Sequence, residues 1–199
     1  MKNSVLKEIL TLTVKLFVIC LVVSGLLAWI NSITAPIIAE NDAKNFELAM
    51  QEMLPEAKDF EELEITDDAK AGEGVTVNSA YKGICDDNIC GYVVNTVCHE
   101  GYGGDISVMV SITEDGKVNQ VKIISMAETA GLGTKAGEDE FLAQYKGLST
   151  NIGVEKNNAG NPDNNTISAI SGATRTSKAV TKAVNSAVDT ILNGGGINE

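Results

Sequence analysis

Ser171-Gly172-Ala173-Thr174-Arg175-Thr176-Ser177 places four hydroxyls and the chain's single arginine in seven residues, directly before a long amphipathic stretch. These residue types suit acceptance of a phosphate ester. Thr174 offers the hydroxyl, and Gly172 and Ala173 leave room for a bulky phosphate to approach the backbone. A helix starting here would aim unpaired backbone N–H groups, and the positive end of its dipole, at that phosphate. Arg175 would add a charge-assisted contact. The same run also suits an ordinary loop in which Thr176 or Ser177 caps the helix. Spacing alone does not separate the two readings.

Other reactive constellations are missing from the sequence. No Cys/His dyad, Walker loop or zinc signature is present, which argues against a self-contained hydrolase or kinase. The lone histidine, His99, reads as a surface residue. Cys20 lies in an apolar run and reads as a small hydrophobe. Cys85, Cys90 and Cys98 with one histidine match no metal-ligand spacing, so no metal site is expected. Cys85 and Cys90 suit a small disulfide loop in an oxidising compartment and free thiols in a reducing one.

The elements that position these residues begin with an anchor. Leu16 to Ala39 contains 24 residues without a formal charge, enough for a membrane-spanning helix, which needs about 20. Lys2, Lys7 and Lys15 precede it, while Glu40 and Asp42 follow, so the positive-inside rule puts the N-terminus in the cytoplasm and the rest outside. A cleaved signal peptide is the competing reading, but the apolar stretch is long and lacks a small-x-small cleavage site. Beyond the anchor lie 26 of 27 acidic and 12 of 15 basic residues, a net charge near −14 that should repel nucleic acid and anionic lipid headgroups.

Pro36 and the polar residues after it suggest an exit from the membrane, followed by an amphipathic helix over Asn41 to Leu54 that Pro55 stops. Glu56 to Gly74 reads as an acidic connection with room for one strand. Gly91 to Cys98, Asp105 to Thr113 and Lys117 to Met126 alternate apolar and polar residues, with Glu114-Asp115-Gly116 as a hairpin turn between the last two. Glu138 to Lys146 suits a short helix, and Asn151 to Asn165 a long Asn/Gly-rich loop. Ser177 to Leu192 suits a helix burying Val180, Val184, Ala187, Val188 and Ile191, ended by Gly194 to Gly196.

Three segments resemble one known family. Ala169 to Ser177, reading AISGATRTS, is similar to the flavinylation motif of the FMN-binding domain in the G subunit of Rnf complexes and the C subunit of Na+-translocating NADH:quinone reductases. Glu128-Thr129-Ala130-Gly131-Leu132-Gly133 resembles that family's ETPGLG loop, and Gly101-Tyr102-Gly103-Gly104 its GYGG segment. With the membrane helix and the length, the resemblance covers nearly the whole chain. Two positions depart from the pattern: Ser168 stands where Asp is usual, and Ala130 where Pro is usual.

The resemblance implies an α+β fold: a single N-terminal transmembrane helix, then an extracytoplasmic FMN-binding domain with a mainly antiparallel sheet and flanking helices. The organisation expected is residues 1–11 in the cytoplasm, 12–34 transmembrane, 35–74 a linker and 75–199 the FMN-binding domain. It also implies FMN held covalently by a phosphoester to Thr174, with Ser171, Gly172, Ala173, Arg175 and Thr176 around the phosphate. Glu128, Thr129, Gly131, Leu132 and Gly133 would lie against the flavin ring, where Tyr102 would either stack or merely pack.

The activity implied is a one-electron FMN relay in an Rnf-type ferredoxin:NAD+ oxidoreductase that couples electron transfer to Na+ or H+ translocation. The partners implied are the other Rnf subunits, including a flavinylated membrane subunit, a flavin transferase for maturation, and membrane lipid. Two alternatives stand beside it. One is the C-type subunit of a Na+-translocating NADH:quinone reductase; the other is an anchored extracytoplasmic binding module without flavin.

Overall fold

The computed structural model describes residues 2–65, 71–72, 74–86, 88–157, 159–192 and 197–198. Part of the expected acidic connection, and the glycine run expected to end the last helix, lie outside the described residues. Two units are distinguished, residues 1–48 and 49–199.

The first unit is helical throughout its described length and forms most of α1 (Lys2–Met53). From Leu10 to Ile38 its side chains are exposed, and the apolar run is long enough to cross a membrane. The sequence suggests a break after Pro36, but α1 continues through that residue. A proline inside a helix removes one backbone hydrogen bond, and nearby hydroxyls can bind the carbonyls of the preceding turn. Ser32 Oγ donates to the Trp29 carbonyl (2.7 Å) and Thr34 Oγ1 to the Ile30 carbonyl (3.0 Å), just ahead of Pro36. The helix stops at Met53, two residues before Pro55, as expected.

In the second unit, strands β1 (Asp59–Ile65), β2 (Ala71–Gly72), β3 (Val75–Cys85), β4 (Asn88–Cys98), β5 (Ile106–Ile112) and β6 (Val118–Met126) build an antiparallel sheet with a short β9 (Ile197–Asn198). Its order is β6-β5-β4-β3-β1-β9, with β2 beside β3. β4, β5 and β6 fall where the alternation places them. β3 has no counterpart among the strands expected from sequence, because its register shifts between Val77 and Ser79 and Lys82-Gly83 interrupts the period. Cys85 and Cys90, at the far end of the β3–β4 hairpin, are joined by a disulfide.

α2 (Asp139–Leu142) and a following turn of 3₁₀ helix occupy the expected short helix. The expected loop over Asn151 to Asn165 instead contains β7 (Gly153–Glu155), which pairs in parallel with β8 (Thr166–Ser168). A strand of three residues is too short to show a period in sequence.

α3 (Thr174–Leu192) lies across the face of the sheet formed by Val94, Val108, Val110 and Ile112. Val180, Val184, Ala187 and Val188 are fully buried, and Ile191 packs at the edge. Each buried valine contributes about 1.5–3 kcal/mol. Thr96 Oγ1, on β4, is directed at the Ala183 carbonyl of α3 across this interface (3.2 Å). The opposite face, with Val93 and Met109, is covered by Ala49 to Leu54, and Lys122 of β6 pairs there with Glu52.

Candidate functional site

The start of α3 is set by one serine. Ser177 Oγ accepts from the Ile170 amide (3.0 Å) and donates to the Ala173 carbonyl (3.0 Å), while the Ala173 amide donates to the Ile170 carbonyl (3.0 Å). The helix therefore begins at Thr174, three residues before the start expected from sequence, and neither Thr176 nor Ser177 is its cap. Both are buried in the first turn. Gly172 sits at the apex with φ +80°, a conformation that L side chains rarely adopt, and Leu132 would lie 3.3 Å from a Cβ there.

Thr174 is left half-buried at the first helical position, with Ser171 and Gly172 exposed ahead of it. The hydroxyl two residues on is committed elsewhere: Thr176 is 1% exposed and Thr176 Oγ1 donates to Glu128 Oε2 (3.0 Å). The first amides of a helix lack intrahelical acceptors, which leaves those of Thr174 and Arg175 for a ligand, whereas the Ser177 amide donates to the Ala173 carbonyl (3.0 Å).

The loop after β6 folds against this turn. The Thr129 carbonyl accepts from the amides of Leu132 (3.2 Å) and Thr134 (3.3 Å), and Gly131 N–H donates to Thr134 Oγ1 (3.0 Å). Gly131 has φ +75°, which glycine adopts without the cost that a Cβ would bring. The loop thus closes as a tight turn without the proline usual at Ala130. It leaves Leu132 46% exposed beside Gly172.

Between α3 and this loop lies a cleft of about 260 Å³, walled by Tyr102, Glu128, Thr129, Leu132, Gly133, Gly172, Ala173, Arg175 and Thr176. Residues from three distant segments of the sequence meet here. Tyr102 is 69% exposed and, with Leu132, gives the cleft an apolar rim. Thr174, Ser171 and Gly131 are next to wall residues in the chain rather than in the wall itself. Arg175 Nε donates to the Glu100 carbonyl (3.1 Å), fixing the guanidinium stem, and Lys182 pairs with Glu100 (2.8 Å). Arg175 is thereby held at the mouth of the cleft.

Glu128 is the residue whose surroundings the sequence conceals. Its carboxylate accepts from the amides of Tyr102 (2.8 Å) and Gly103 (3.2 Å) as well as from Thr176. The three partners lie 26, 25 and 48 residues away, so no local pattern signals them. Ser168, at the other departure from the family pattern, accepts from the Gly160 amide through Oγ (3.1 Å). His99 is engaged at both ring nitrogens, by Asp105 and Thr76 (3.0 Å each). Among the described residues no cluster of ligating side chains suits a metal ion.

An FMN-binding domain model matches residues 101–189, which span the GYGG segment, the Glu128 loop and all but the end of α3. The sequence is 34% identical to the G subunit of the Na(+)-translocating ferredoxin:NAD(+) oxidoreductase complex of Acetobacterium woodii, over 94% of this chain and 93% of that one. It is 33% identical to the G subunit of the proton-translocating ferredoxin:NAD(+) oxidoreductase complex of Clostridium ljungdahlii, over 94% and 95%. The fold is similar to that of Shewanella oneidensis NqrC, with a TM-score of 0.53 at 20% identity over 71% of this chain and 72% of that one. It is similar too to the C subunit of the Na(+)-translocating NADH-quinone reductase from Parabacteroides distasonis, with a TM-score of 0.54 at 16% identity over 72% and 80%. At such identities the structures speak for the fold alone, whereas the G subunits align along almost the entire chain. The chain belongs to the family of G subunits of ion-translocating ferredoxin:NAD+ oxidoreductase complexes.

Proposed function

We propose that this protein is the membrane-anchored flavoprotein subunit of such a complex, with FMN joined through its phosphate to Thr174. The observation that carries the attachment site is the division of labour in the first turn of α3. Thr176 is buried with its hydroxyl bound to Glu128, while Thr174 is half-buried beside the cleft and preceded by the open Gly172 turn.

The cleft fits the group. The first-turn amides and Arg175 suit a phosphodiester, with the helix dipole adding favourable potential. Leu132 and Tyr102 offer apolar surface to a ring, and Gly133 and Gly172 let it come close to the backbone. FMN would supply the capacity to accept and release electrons singly. The protein's own residues hold it in place and shape its surroundings. A tethered cofactor outside the cytoplasm is not lost by dilution.

The lysines ahead of the apolar run support an N-terminus in the cytoplasm and a main domain on the other side, with 12–34 as the span and 75–199 as the flavin domain. The partners follow from this reading: the other subunits of the complex, a flavin transferase that delivers the FMN, and the lipid around α1. The alternative, a C-type subunit of a quinone reductase, rests on fold likeness alone and is the weaker reading.

The test is co-expression of the full chain with a flavin transferase, followed by in-gel flavin fluorescence and intact mass. A mass increment of FMN minus water, retained in Thr176→Val and lost in Thr174→Val, is expected. Fluorescence that survives Thr174→Val would place the attachment elsewhere.

A further inference from the structure

Glu128 lies two residues beyond the end of β6, and both of its carboxylate oxygens are occupied. Oε1 accepts from the amides of Tyr102 and Gly103, and Oε2 from the Thr176 hydroxyl. The carboxylate is also enclosed: a Cβ at Gly101 would come within 2.8 Å of Oε1, and one at Gly133 within 2.6 Å of Oε2. A group held from both ends and hemmed in by backbone cannot turn to meet a ligand without releasing the loop it grips.

We infer that Glu128 is a positioning residue: it locks the Tyr102 turn to the first turn of α3 and thereby decides which threonine hydroxyl of that turn stays free to accept a phosphate. Successive helical residues are rotated by about 100°, so Thr174 and Thr176 face directions about 200° apart. Fixing the Thr176 hydroxyl on Glu128 in the cleft wall engages it and sets the rotation of the turn, which leaves the Thr174 hydroxyl, beside the wall, as the free acceptor. The same carboxylate fixes the amides that flank Tyr102 Cα, so the aromatic ring at the rim and the acceptor hydroxyl are held relative to each other by one side chain. The resemblance puts Glu128 against the flavin ring; the geometry adds the task of holding two walls of the cleft together. This inference rests on Thr174 being the attachment site.

The test uses the full chain in two forms. In flavin-free Thr174→Val protein, hydrogen exchange of the Tyr102 and Gly103 amides reads the lock directly. In protein with Thr174 intact, the initial rate of covalent FMN incorporation reads its consequence. Glu128→Ala is expected to raise exchange at both amides by roughly tenfold, the loss of one hydrogen bond. It should slow incorporation by about 10- to 100-fold, as misplacement by an ångström does. Glu128→Gln keeps an oxygen for the two amides and an NH2 for the Thr176 hydroxyl, and should stay within about threefold of the parent on both counts. Thr176→Val should slow incorporation while leaving the two amides protected.

Unchanged exchange and incorporation in Glu128→Ala would overturn the inference. So would Glu128→Gln as slow as Glu128→Ala, because charge rather than position would then be at work. If the parent protein takes up no flavin at all, the attachment reading fails, and amide exchange still decides whether Glu128 locks the two walls.

Discussion

Gly103→Ala is the substitution whose effect follows most directly from the coordinates. A Cβ at this position would stand 1.9 Å from the Ala127 carbonyl oxygen and 2.8 Å from the carbonyl carbon, both backbone atoms. A relaxed contact needs roughly 3.3 Å, so the two strands of chain must part by about 1.4 Å. The Gly103 amide is already 3.2 Å from Glu128 Oε1, and that movement carries it out of hydrogen-bonding range. A hydrogen bond to a charged group contributes about 1.5–3 kcal/mol, which for a domain of this size corresponds to a drop in Tm of about 3–12 °C. Gly131→Ala is the control: no atom lies within 4 Å of its Cβ, and its φ of +75° costs about 1–2 kcal/mol without moving a neighbour. Thermal melts followed by far-UV circular dichroism give the stabilities, and hydrogen exchange gives the location of the damage. Gly103→Ala should deprotect the Tyr102 and Gly103 amides and slow FMN incorporation, whereas Gly131→Ala should leave those amides alone. A Gly103→Ala protein within about 0.5 kcal/mol of the parent, with both amides still protected, would refute the close approach of these two loops.

Two further outcomes test the frame around the site. Ile106, fully buried where β5 begins behind the Gly101 turn, should lose about 2–5 kcal/mol on replacement by alanine, read as a shifted denaturant midpoint at unchanged slope. Burial pushes the Cys98 thiol up from its ordinary value. The folded state therefore keeps its proton where the unfolded chain loses it. The associated stability is complete below the unfolded thiol pKa of about 8.5 and declines as pH rises toward the folded value. In a Cys20→Ala background, maleimide labelling of Cys98 at neutral pH should be blocked until the domain unfolds, and rapid labelling of that native protein would contradict the burial of Cys98.

The parts of the molecule that sequence makes legible are those with a long, regular period. The stripe Val180, Val184, Ala187 and Val188 announces one buried face of α3, and the alternation in β4, β5 and β6 announces the sheet. What stays hidden is whatever depends on residues meeting from far apart. β3 is obscured by its bulge, and α1 runs on through Pro36 where a proline usually argues for a boundary. The start of α3 is masked because Ser177, a good capping residue by type, turns its hydroxyl back onto Ile170 and Ala173 from inside the helix. At the site, short motifs draw attention to three segments, and one cleft brings most of their residues together. That a single carboxylate joins two of its walls cannot be read from any of the motifs alone.

The hydroxyl of Thr96 gives the α3 interface something its hydrophobic residues lack. A face of valines and alanines is smooth, and a helix laid on it can slide by a residue, about 1.5 Å, while losing little apolar burial. A directional contact from β4 to the Ala183 carbonyl, with those of Thr181 to Tyr145 and Asn185 to Ile152, converts that rail into a ratchet with one favoured notch. The outer surface of α3 is then free to diverge for other demands, since the axial position of its first turn is set from within the core.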